Sequence, residues 1–215
     1  MLSRAFLFAL LLSCAACGYH PRDRGQTDQI AKDRSGAALT FGDINQVEGT
    51  RFFTVPIIRV EHGGSGSFST YAGGDERNRL IVDSTNGASR CVLLNTDSSI
   101  VNWIEPKLEM AKTGAAAAID EAVEGSNQDR SSGIYAAVVK RTGRTDKDAA
   151  TYDLLFGRFE DGAQVWAARG LSGVETVWLT PAHKLAVVAA TPKGAIFRLY
   201  DPATFAQLLD APLKL

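Results

Sequence analysis

The densest group of residues able to carry chemistry is His62-Gly63-Gly64-Ser65-Gly66-Ser67. Glycines leave backbone N–H groups unshielded, so a His-Gly-Gly run can turn donors toward a developing negative charge. Ser65 or Ser67 would then be the nucleophile, with Asp161 as acid and His183 as base, in the chain order serine, acid, histidine. The G-x-S-x-G elbow that should accompany such a loop fails at its last position, where Ser67 stands. No Gly-Lys-Ser/Thr follows the glycines, which excludes a phosphate-binding loop. The other reading is a flexible loop, with His183 a surface histidine in the turn Pro181-Ala182-His183-Lys184.

Metal chemistry has less to work with. Beyond the first seventeen residues the imidazole and thiol ligands are His20, His62, His183 and Cys91, no two of them at a zinc spacing. Asp146-Lys147-Asp148 is a pair of acids, not a calcium loop, and reads as the solvated tip of a long hairpin. No metal or other cofactor is expected. Cys91, among apolar neighbours, is expected to be a small buried hydrophobe. Trp103, Trp166 and Trp178 are expected in the core; the alternative is an exposed aromatic face for a partner or a glycan. The formal charge is -1, with basic residues scattered among acids, so no stripe for nucleic acid exists. The His62 loop resembles the oxyanion loop of esterases, which implies a serine hydrolase as the alternative to a binding protein.

The elements that must position these residues are short β runs. From Ala37 onward, apolar and β-branched stretches alternate with turns rich in Gly, Asp, Asn and Pro. Arg51 to Glu61 reads as a strand that Pro56 places on an edge or splits in two. Arg79–Asp83 and Ser89–Leu94 flank an Asn-Gly turn, and Ile100–Ile104 follows. Residues 107–124, rich in alanine, predict one short helix or an inserted loop. Further strands are predicted at 134–141, 152–159, 163–168, 174–179, 184–190 and 195–200. The spacing, without alternating helices, predicts an all-β fold of antiparallel sheets.

Leu179 to Leu209, LTPAHKLAVVAATPKGAIFRLYDPATFAQLL, resembles a blade of a WD-repeat-type β-propeller. Weaker copies are Leu80 to Leu94 and Phe156 to Ala168. In each, an apolar strand reaches an acidic residue and a turn; Asp161 and Asp201 lie 40 apart, one blade's length, and Asp83 lies 78 before Asp161. The resemblance implies a propeller-like array, complete or open; a β-sandwich is the alternative. No Trp-Asp dipeptide and no Gly-His start are present.

Met1 to Cys17, MLSRAFLFALLLSCAAC, has one basic residue, an apolar run from Ala5 to Leu12, and small residues before cysteine. The run is too short to span a bilayer and has the layout of a secretory signal. It resembles a bacterial lipoprotein signal, which implies cleavage after residue 16 and lipid on Cys17, or on Cys14 as the alternative acceptor. The resemblance also implies anchoring in the outer membrane facing the periplasm, because Gly18 rather than Asp follows Cys17. Residues 17–36 then read as a lipidated start and a flexible, polar tether, and 37–215 as a single β-rich domain. The expected partners are the membrane, through the lipid, and an envelope protein or glycan. The function expected is a non-enzymatic binding or interaction module.

Overall fold

The computed structural model describes residues 31–33, 35–60, 75–108, 130–141 and 150–214, and among these the chain forms fourteen strands and no helix. Three antiparallel sheets result. The first holds β1 (Ala31–Lys32), β2 (Ala38–Phe41), β3 (Asn45–Gln46), β4 (Phe52–Arg59), β5 (Asp75–Asp83) and β6 (Ser89–Cys91). The second is the meander β7 (Ser99–Ile104), β8 (Ile134–Arg141), β9 (Thr151–Arg158) and β10 (Gln164–Leu171). The third is the meander β11 (Gly173–Leu179), β12 (Leu185–Thr191), β13 (Gly194–Tyr200) and β14 (Gln207–Pro212). No helix among the described residues is long and apolar enough to cross a membrane.

Burial in β8 shows how the sheets stack. Its first six residues are all buried, so both faces of the strand are covered. Tyr135, Ala137 and Val139 join Leu155, Phe52, Ile81 and Phe159 in a core between the first and second sheets. Ile134, Ala136 and Val138 join Leu154, Phe156, Val177, Leu185, Val187 and Tyr200 in a core between the second and third. The middle sheet is thus apolar on both sides, as successive four-stranded units of a propeller-like array must be, since neither face can be left in water. Three stacked sheets also set aside the two-layer sandwich. Arg90 adds a polar tie between the first two layers, donating to the carbonyls of Arg158 (2.9 Å) and Phe159 (2.7 Å).

Several expectations are corrected. Pro56 lies neither on an edge nor at a break: β4 runs unbroken between β5 on one side and β2 and β3 on the other. The neighbours divide instead, since β2 pairs with 57–59 and β3 with 53–54. Pro56, whose carbonyl takes Gly42 N–H, falls in the gap, where its missing donor breaks no ladder. Cys91 is exposed, not buried, because the three-residue edge strand β6 turns it outward. Ala31–Lys32, inside the stretch read as a tether, pairs with β2. β14 lies beyond residue 200, where no strand was predicted. Of the alanine-rich stretch only Lys107 and Leu108 are described, and Lys107 bridges to Ser131.

Candidate binding site

A cavity of about 330 Å³ opens where the first sheet's edge meets the second. The segment after β6 supplies Val92, Leu93, Asn95 and Ser98; β8 supplies Val139 and Arg141; β9 supplies Asp153 and Leu155; β10 supplies Gln164 and Trp166. Alternation puts Asp153 and Leu155 on the same face of β9, opposite Val139 and Trp166 respectively in the ladders.

The wall after β6 is stapled by Asn78, a buried side chain on β5. Its Nδ2 donates to the carbonyls of Leu93 (2.8 Å) and Asn95 (3.3 Å), and its Oδ1 accepts from Leu93 N–H (2.8 Å). Outside the lining, Arg79 lies 4.6 Å over Trp103, which stacks 4.6 Å from the Tyr135 ring. Gln164 Nε2 donates to Tyr135 Oη (2.7 Å) and to the Val92 carbonyl (3.1 Å), which leaves Oε1 as its acceptor. Burial pushes the Tyr135 hydroxyl above the usual phenol range.

Asp153 is 1% exposed and is the buried charge of the site. Two irregularities in the β9–β10 ladder make room for it, between Trp166 and Ala168 and between Ala168 and Leu171. Gly170, at φ +66°, takes the left-handed backbone that suits glycine there, and its N–H donates to Asp153 Oδ1 at 2.9 Å. Oδ2 lies 2.6 Å from Arg141 Nε but off the N–H direction, so the charges pair while this oxygen accepts no directed hydrogen bond. The same distortion turns Arg169 over the Trp166 ring at 5.2 Å and frees the Ala167 carbonyl for Tyr200 Oη at 3.1 Å. Trp166 stays 37% exposed at the rim, and Leu94 beside it is fully exposed.

Of the residues singled out in the sequence, Trp166 alone lines this cavity. Trp103 packs against the core between the first two sheets, and Trp178 lies on the third sheet against Phe197 (6.1 Å), so the three tryptophans form no single face. His62, Ser65 and Ser67 lie outside the described residues, as do Cys14, Cys17, His20, Asp146 and Asp148. Asp161 is a turn residue: Arg158 hydrogen-bonds its carboxylate, holding it down at about 2, and its Oδ1 accepts from Ala163 N–H. His183 occupies a turn at φ +54°, its N–H donating to the Thr180 carbonyl. No group of three or more His, Cys, Asp or Glu suited to a metal ion occurs among the described residues. Asp153, Asn95, Ser98, Gln164 and Arg141 escaped the sequence reading. The available signal was an acid set inside the apolar run Tyr152–Phe156.

Fold and cavity together define an all-β protein of stacked antiparallel meanders, propeller-like, with a cleft between its first two sheets. No family model matches the chain, and no curated protein matches it. One solved structure it resembles is described as the beta-propeller domain of the Trilobed protease from Pyrococcus furiosus, with an open velcro topology. The identity is 9% and the TM-score 0.39, over 81% of this chain and 43% of that one. The chain therefore spans less than half of that relative's length, and so slight a likeness adds nothing to the architecture read from the ladders.

Proposed function

We propose that this protein is a lipid-anchored cell-envelope binding module, and not an enzyme, that holds a small ligand in the cleft between its first two sheets. One observation carries the binding half of this reading: a concave, partly apolar site with an almost wholly buried carboxylate whose Oδ2 takes no directed hydrogen bond. A few convergent polar groups above an apolar floor are what small-molecule sites are built from. The anchoring half is supported by the Met1 to Cys17 pattern, with Cys17 as acceptor or Cys14 in its place, and by the outer-membrane address that Gly18 implies.

Two experiments test the halves separately. Native mass spectrometry of the protein mixed with a low-mass envelope extract is expected to show a small-molecule adduct that Trp166→Ala removes without unfolding the chain. An adduct indifferent to that substitution, or no adduct, contradicts the cleft as the binding site. Fluorophosphonate labelling that disappears in Ser65→Ala would show a hydrolase instead. For the anchor, Cys17→Ser is expected to abolish palmitate incorporation and membrane fractionation. Incorporation that persists until Cys14 is also replaced makes Cys14 the acceptor, and persistence beyond both ends the lipoprotein reading.

A further inference from the structure

We propose that the ligand is a neutral saccharide, one ring of which lies on the Trp166 indole with its hydroxyls reaching Arg141, Ser98, Asn95 and Gln164. The inference rests on the cleft being a ligand site and adds the class of ligand. Charge is the first argument. Among the described residues the ionised ones lining the cavity are Arg141 and Asp153, and they pair at 2.6 Å, so this lining is neutral as a whole. A cationic ligand would have to displace Arg141 from Asp153. An anionic ligand would be brought up to a carboxylate that is 1% exposed and cannot move into water. A neutral ligand meets neither obstacle.

The second argument is the mixture of surfaces. A sugar ring has an apolar C–H face and a rim of hydroxyls, each of which donates once and accepts. Trp166, Val92, Val139 and Leu155 provide apolar surface for the first. For the second, acceptors and donors alternate around the wall. Gln164 Oε1 accepts; Arg141 donates; Ser98 does both; and Asn95 lines the same space, its Oδ1 engaged by Asp97 N–H at 3.1 Å. Trp166 lines the cavity while Arg169, 5.2 Å from its ring, does not. The volume, about 330 Å³, is at the small end of ligand sites, which run from about 300 Å³ upward. It suits one ring held in the cleft with neighbouring rings leaving past the fully exposed Leu94.

The test is amide NMR titration of the full chain in lauryldimethylamine oxide, a detergent without a sugar headgroup. The probes are maltotriose, cellotriose and chitotriose, with spermidine as the cationic control and glucose 6-phosphate as the anionic one. At least one trisaccharide is expected to shift Asn95, Gln164 and Trp166 signals, with a dissociation constant of about 1 mM or below. Trp166→Ala is expected to weaken that binding at least about tenfold and Trp166→Phe to restore part of it, since base or sugar stacking survives on a smaller ring. If spermidine binds there instead and loses affinity in Trp166→Ala, the saccharide class is wrong, and if glucose 6-phosphate does so, the ligand is not a neutral saccharide; in either case the cleft still stands as a ligand site. If no probe shifts any lining signal at about 10 mM, a concentration that would reveal even millimolar binding, the saccharide proposal is overturned.

Discussion

Four aspartates do the same job at four turns. Asp33, Asp83, Asp161 and Asp201 each accept a backbone N–H two residues on, from Ser35, Thr85, Ala163 and Ala203. All four carboxyls lie below the ordinary carboxylate value, through the Ser35 hydroxyl, the Thr85 hydroxyl, the Arg158 guanidinium and the Thr204 N–H respectively. A depressed folded value means that the unfolded chain takes up protons first on acidification. The stability these groups lend is complete above about pH 4 and is lost as pH falls toward the folded values, about 2 for Asp161. Urea midpoints are therefore expected to drop between those limits, and Asp161→Asn to flatten the slope; a midpoint unchanged by acid would contradict the assignment. Gly157 is a second residue with a readable consequence. A Cβ there would fall inside the Tyr135 ring, so Gly157→Ala should cost about 1–3 kcal/mol by overpacking, measured as a lower urea midpoint. The acidic marks were legible in the sequence because an Asp before a turn has one usual reason to be there. Asp153 was not, since its role depends on a bulge in a neighbouring strand.

Among the elements, β8 and β9 carry the two cores on opposite faces. Phe156, fully buried, meets Tyr200 edge-on at 5.1 Å and Phe205 at 5.6 Å, so it joins the second sheet to the third. Phe156→Ala should cost about 3–5 kcal/mol in chemical denaturation; a loss below about 1 kcal/mol would mean that the sheets hold together by other contacts. β8 was predicted with its observed ends, 134–141, because a strand buried on both faces is a continuous apolar run. β1 and β3, two residues each, have no pattern long enough to read and exist only by pairing with β2 and β4. In β10, predicted only to residue 168, nothing in the sequence told where the bulge falls or which side chains it would aim.

At the scale of the molecule, the sequence spacing and the sheets explain each other. Asp161 and Asp201 open the turns between third and fourth strands of successive meanders, which is why they lie 40 apart. Asp83 opens the corresponding turn between the last two strands of the first sheet. Among the described residues, the 78 from there to Asp161 hold the strands β7, β8 and β9 of one sheet, with residues 109–129 and 142–149 falling between them in the chain. The described residues form three such units. The cleft sits at the first junction between units, and its role as the binding site is the central claim. The most direct measurement is a fragment-library screen read by amide NMR on the full chain, which asks where small molecules bind without presuming which. Hits are predicted to gather on Asn95, Ser98, Gln164 and Trp166; hits gathering on β11 to β14, with none at the cleft, would contradict the account.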